Sequence, residues 1–113
     1  MSITTGPFKI IDHKKDCFRI KIDGNLTGVE AASLREEVTK CINSDYDLIY
    51  IDTKDVNETD LSGINEVIHS HYTLEKESKK LILVYKKNST VEKWVETTGL
   101  DKFVETAILP ATL

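Results

Sequence analysis

The side chains that could do chemistry are few, and their spacing argues against most of it. The three histidines stand at positions 13, 69 and 71. His69 and His71 are two residues apart on a segment with helical periodicity. They therefore point to different sides and do not form the i, i+4 pair that chelates a metal. His71 falls on the apolar face and His69 on the polar one, the pattern of one half-buried and one surface histidine. His13 would need surrounding backbone N–H groups to serve as a phosphocarrier, and the charged turn His13-Lys14-Lys15-Asp16 offers no such cradle. The acid pairs Glu36-Glu37 and Glu75/Glu77 lie on outward helical positions among lysines, as on a solvated face rather than in an acid–base dyad. Cys17 and Cys41 have neither disulfide nor metal-site spacing and read as small, partly buried thiols. No glycine-rich phosphate loop and no G-x-G-x-x-G follows a strand-like run. No active site, metal or cofactor is expected.

One short stretch stands apart: Asp60-Leu61-Ser62-Gly63, where a polar segment turns into an amphipathic helix. Helix starts are usually polar, because the first backbone N–H groups need acceptors. Leu61 therefore has two readings. It is an apolar anchor offered to a partner, or it folds back onto the domain as a helix-start staple. Ser62 reads as a cap, its oxygen accepting a backbone N–H.

The elements that position this stretch follow from hydrophobic periodicity. Phe8, Ile10 and Ile11 suggest a short first strand. In "CFRIKIDG", Phe18, Ile20 and Ile22 alternate with Arg19, Lys21 and Asp23, a strand with one buried face, and the two strands read as a hairpin. "VEAASLREEVTKCINS" places Val29, Ala32, Leu34, Val38, Cys41 and Ile42 at helical spacing. "DLIYIDT" (47–53) and "KLILVYK" (80–86) are continuous apolar runs, as in strands covered on both faces. Between them a polar loop leads to a helix with Ile64, Val67, Ile68, His71 and Leu74 inward. "STVEKWVETTG" has a serine cap signal and a glycine stop, with Trp94 packing into the core beside Val91 and Val95. A last strand lies around Val104 to Ile108. The order β-β-α-β-α-β-α-β predicts an α/β fold: a mixed sheet of four or five strands, parallel inside, with the helices mainly on one side.

A chain of 113 residues, 40% hydrophobic and 30% charged, suffices for one domain with its own core. There is no linker or internal repeat, so a single domain over 1–113 is expected. The net charge of −4 argues against nucleic-acid binding. No apolar run approaches a membrane span, and the start "MSITTGPFKIID" lacks the features of a signal peptide. A cytoplasmic protein, monomeric or weakly dimeric, is the expectation.

Three stretches in register, "GNLTGVEAASLREEV" (24–38), "DTKDVNETDLSGI" (52–64) and "VEKWVETTGLDKF" (91–103), resemble the STAS family, the sulphate transporter and anti-sigma factor antagonist domains. The resemblance covers nearly the whole chain and is to the branch of bacterial anti-sigma factor antagonists. It implies a non-enzymatic, protein-binding regulator of transcription whose partner is an anti-sigma factor with a histidine-kinase-like ATPase fold. In that family the helix after an Asp-Ser-Ser-Gly loop docks the partner, and phosphorylation of the first serine breaks the complex. By resemblance, the partner-binding residues are Asn25, Leu26, Thr27, Thr59, Asp60, Leu61, Ser62 and Gly63. Asp60, Ser62 and Gly63 match the motif, but Leu61 occupies the phosphoacceptor position and has no hydroxyl. Ser62 is then the candidate for phosphorylation. STAS domains also serve as cytosolic accessory subunits of membrane lipid or anion transporters, a second reading. A small phosphocarrier or nucleotide-hydrolysing enzyme is a third, against which the missing phosphate loop counts.

Overall fold

The computed structural model describes residues 2–9 and 16–111. A five-stranded sheet carries three α-helices in a mixed α/β fold. The elements are β1 (Ser2–Lys9), β2 (Asp16–Leu26), α1 (Ala31–Cys41), β3 (Leu48–Thr59), α2 (Leu61–Lys76), β4 (Lys80–Lys86), α3 (Thr90–Thr98) and β5 (Glu105–Leu109). Short 3-10 turns at Gly28–Glu30 and Leu100–Lys102 precede α1 and β5. The strands lie in the sheet in chain order, β1-β2-β3-β4-β5. β1 and β2 are antiparallel and every later pair is parallel. Each parallel pair is joined through one helix, as such crossovers require.

The first strand begins earlier than the apolar residues suggest. It runs from Ser2, with Ile3 opposite Ile22 and Thr5 opposite Ile20. Gly6 and Pro7 weaken its strand signal, but β1 is an edge strand, where a proline costs no ladder bond on its outer side. Ile10, Ile11 and the turn His13-Lys14-Lys15 lie outside the described residues.

One core fills the space between sheet and helices. Ile20 and Ile22 of β2, Ile49 and Ile51 of β3, and Leu81, Leu83 and Tyr85 of β4 meet Leu34 and Val38 of α1, Ile64, Val67 and Leu74 of α2, and Val91 and Val95 of α3. Trp94 packs against this cluster, partly buried. The other face carries only strand residues: Cys17, Tyr50 and Ile82, backed by Leu48, Val84 and Ala107. All three helices therefore sit on one side. Beyond the small apolar cluster, the helix-free face carries ion pairs such as Lys80–Glu105 at 2.7 Å and Lys21–Asp55 at 3.1 Å. Exposed pairs of this kind add little stability. Asp55, as hydrogen-bond partner, and the charge of Asp23 hold the Lys21 ammonium above its ordinary pKa.

Four details differ from the expectations. Ala31, not Ala32, is the inward alanine of α1. Both cysteines are buried rather than partly exposed, and burial pushes the Cys41 thiol up to about 11. The inward face of α2 includes Glu66 and Ser70, while Ile68 is only half-buried; His71 is half-buried, as its spacing suggests. Finally, the segment 54–59, expected as a loop, continues β3 to Thr59.

Candidate functional site

The extension of β3 builds the site. Past irregularities between Lys21 and Asp23 and between Gly24 and Asn25, β2 and β3 stay paired, with Asn25 opposite Glu58 and Leu26 opposite Thr59. The end of β2 is thereby held beside the start of α2. Gly24 adopts φ 96°, a left-handed conformation that a glycine accepts without strain. The two segments singled out in the sequence, 25–27 and 59–63, thus form one continuous surface.

Three of the eight candidate residues lie inside it and cannot meet a partner directly. Leu26 and Thr59 are buried, and Thr59 Oγ1 donates to the Leu26 carbonyl oxygen at 2.8 Å. Gly63 is buried in the first turn of α2. A Cβ there would overlap the Leu26 carbonyl oxygen and stand 2.5 Å from Thr59 Oγ1. The glycine is what lets helix and strand end approach so closely. Leu26, Thr59 and Gly63 are supports. Asn25, Leu61 and Ser62 are exposed, and Thr27 and Asp60 are half-buried.

The cap is not Ser62. Asp60, in extended conformation (φ −135°, ψ −175°), accepts the Gly63 backbone N–H at 2.9 Å. It satisfies an orphan donor and places a carboxylate at the positive end of the helix dipole. The signal was available, since Asp60 immediately precedes the periodic run. With the capping role taken, Ser62 stands in the first turn with its side chain exposed.

Leu61 is the first helical residue and 52% exposed. That exposure, with its place outside both core clusters, favours the anchor reading over the staple, which would bury the side chain. It is one of four large apolar side chains exposed among the described residues, with Tyr72, Phe103 and Ile108.

Behind the surface, α1 and α2 are tied by a bidentate pair. Arg35 Nε and Nη2 each donate to a Glu66 carboxylate oxygen at 2.9 Å. The Glu66 side chain is 7% exposed and that of Arg35 is 59% exposed. Hydrogen bonding to Glu66 and its charge raise the Arg35 pKa further above its ordinary value. Sequence reasoning missed Glu66, because a lone glutamate in an amphipathic helix normally marks the solvent side. His71 lies within 3.4 Å of Glu75 and against the rings of Tyr72 and Phe103, while His69 is exposed on another side. Among the described residues, no group of three or more His, Cys, Asp or Glu side chains is arranged to hold a metal ion. Nor is any helix among them long and apolar enough to cross a membrane.

A fold of this order, with its exposed helix start beside the end of β2, defines a class. The STAS domain family model matches residues 9–110, and the chain belongs to that family. Among solved structures it is similar to an anti-sigma factor antagonist from Mycobacterium paratuberculosis, at 23% identity and TM-score 0.73 over 93% of this chain and 85% of that one. It is similar to SpoIIAA of Bacillus in its phosphorylated form, at 18% identity and TM-score 0.65 over 94% and 91%. A Thermotoga maritima protein described as an anti-sigma factor antagonist superposes with TM-score 0.68 at 18% identity over 89% and 83%. At these identities the likeness is one of fold. Among curated proteins, no sequence matches this chain.

Proposed function

We propose that this protein is a non-enzymatic regulator of transcription in the bacterial cytoplasm that acts as an anti-sigma factor antagonist. Its partner is an anti-sigma factor with an ATPase fold of the histidine-kinase kind, docked on the start of α2 and the adjoining turn at Asn25 and Thr27. The observation that carries the reading is Leu61, 52% exposed at the first position of a helix that Asp60 already caps. An apolar side chain that stands outside both core clusters and is half exposed in that place is available for contact. Because position 61 has no hydroxyl, the docked state cannot be undone there by phosphorylation.

The decisive variant is Leu61→Asp. At a helix N-terminus the added acid is favoured by about 0.3–1 kcal/mol, so the isolated domain keeps its melting temperature. In the complex the same charge is desolvated. A loss of about 2 kcal/mol weakens affinity roughly thirtyfold. Titration of wild type and variant against a partner recovered by affinity capture measures this. Recovery of a histidine-kinase-like ATPase supports the reading, whereas a transporter ATPase would replace it with the transporter-subunit role. A variant that folds and binds normally refutes the docking site.

Ser62 is the remaining hydroxyl at the helix start, and it is exposed. A phosphate there would add about −1.5 to −2 charges beside the Asp60 carboxylate, and Asp60 already occupies the Gly63 N–H. Incubation with the cognate kinase and ATP is expected to leave position 61 unmodified and Ser62 weakly modified or unmodified. Stoichiometric phosphate on Ser62 by mass spectrometry would show that the switch has moved by one residue.

A further inference from the structure

Three of the four large apolar side chains exposed among the described residues gather on the outward side of α2. Leu61 and Tyr72 (49% exposed) belong to the helix, and Phe103 (43% exposed) stacks on the Tyr72 ring at 6.2 Å and 15°. Between Leu61 and Tyr72 lie exposed Asn65 and half-buried Ile68. The intervals from 61 to 65, 68 and 72 are four, three and four residues, the spacing of successive a and d positions in a heptad seam. The core face of α2, with Ile64, Val67 and Leu74, points elsewhere. This second line, apolar at Leu61, Ile68 and Tyr72 and polar at Asn65, runs roughly 16 Å along the helix and ends against Phe103.

The flank of the seam toward α1 is polar to basic. Its exposed or half-exposed α2 side chains are Ser62, His69, Thr73 and Lys76, and Arg35 reaches it from α1 to hold Glu66. Two of the five guanidinium N–H donors are taken by Glu66. The others remain for an incoming acceptor. No carboxylate other than the paired Glu66 stands among the α2 side chains of this flank.

We infer that the outward seam of α2 seats an amphipathic helix of the protein partner, apolar along its contact line and acidic on the flank that meets Arg35, His69 and Lys76. The inference rests on the docking reading of Leu61 and extends that contact to Tyr72 and Phe103. Helical spacing of the anchors suits a helical occupant, and the charge of the flank selects an acidic one. A second copy of this chain fits less well, because antiparallel pairing would set the basic flank against itself.

The test uses the full chain, labelled with 15N and titrated with a synthetic three-heptad amphipathic helix bearing leucine at its seam and glutamate on one flank. A control peptide carries lysine on that flank. The expected result is amide shifts centred on Leu61, Asn65, Ile68, Tyr72 and Phe103, with the glutamate peptide binding about tenfold tighter than the lysine one. The double variant Tyr72→Ser/Phe103→Ser should weaken glutamate-peptide binding about tenfold at unchanged melting temperature. Asn65→Glu, at an exposed polar position, should do so even if the double variant unfolds. Shifts on another surface, equal affinities, or no shifts overturn the inference. So does concentration-dependent broadening of the seam amides without peptide, which would show that a second copy covers them. If Leu61→Asp abolishes partner binding and the double variant does not, the proposed function stands and the extended seam falls. If neither variant affects partner binding, the functional reading itself fails.

Discussion

Gly63→Ala gives a sharp test of how the site is held, because two effects oppose each other and the structure says which wins. In an ordinary helix interior, alanine is more favourable than glycine by about 1 kcal/mol. Gly63 lies in the first turn of α2 without a left-handed φ, so propensity alone predicts stabilisation. The added Cβ, however, would overlap the Leu26 carbonyl oxygen and stand 2.5 Å from Thr59 Oγ1. The carbonyl belongs to the β2 backbone, paired with β3, and cannot swing away. Thr59 can rotate, but only by giving up its 2.8 Å hydrogen bond to that carbonyl in a buried setting. Overpacking costs about 1–3 kcal/mol, and an unsatisfied buried acceptor about 1–3 kcal/mol more. Less the gain in propensity, a net loss of about 1–5 kcal/mol is expected. At about 4 °C per kcal/mol for a chain of this size, that lowers the melting point by roughly 4–20 °C. Urea denaturation of the purified variant measures the loss directly. An alanine variant as stable as wild type, or more so, would refute the close approach of α2 to β2.

Two further expectations concern the scaffold. Lys79 Nζ donates to the carbonyl oxygens of Ser44 and Tyr46, at 2.9 and 2.6 Å, and pins the turn after α1; Lys79→Met should cost about 1–3 kcal/mol in urea denaturation, and an unchanged midpoint would show that water replaces the lysine. The Cys41 thiol, raised from 9.0 to about 11 chiefly by burial, keeps its proton in the folded state where the unfolded chain has lost it. Stability should therefore fall between about pH 9 and 11, by about 1.4 kcal/mol per pH unit for this one group. Denaturation midpoints across that range should fall less steeply for Cys41→Ala. The Tyr50 and Tyr85 phenols, also pushed up by burial, remain in both proteins, so equal slopes would remove Cys41 as a cause.

Where a segment's own pattern matched its final environment, the sequence was readable. "KLILVYK" reads as a strand and is one, with Leu81, Leu83 and Tyr85 in the core, although its other face is only partly covered; Ser89 and Gly99 bound α3 as its cap and stop signals suggest. The extension of β3 was not readable, because "KDVNET" gains its partners from the end of β2. The register shifts there disturb the simple alternation, leaving Val56 and Thr59 buried with two exposed residues between them. Glu66 was hidden for a related reason: its burial depends on Arg35, 31 residues earlier. At the site, the joining of 25–27 to 59–63 was legible through family resemblance. The split into buried supports and exposed contacts was not, since Leu26 and Leu61 are the same residue type in opposite situations. Phe103 could not be connected with Tyr72 without the tertiary structure.

The strand order has a consequence for synthesis. Each strand pairs with the one that precedes it in the chain, so no later strand must be threaded between two that already lie side by side. A chain emerging from the ribosome at about 5–20 residues per second can extend the sheet in one direction, from the β1–β2 hairpin toward β5. The paired ends of β2 and β3, and the helix start they support, are all translated before β4 begins. The last strand to appear is the five-residue edge β5, so the surface proposed for docking can take shape before the sheet is closed off.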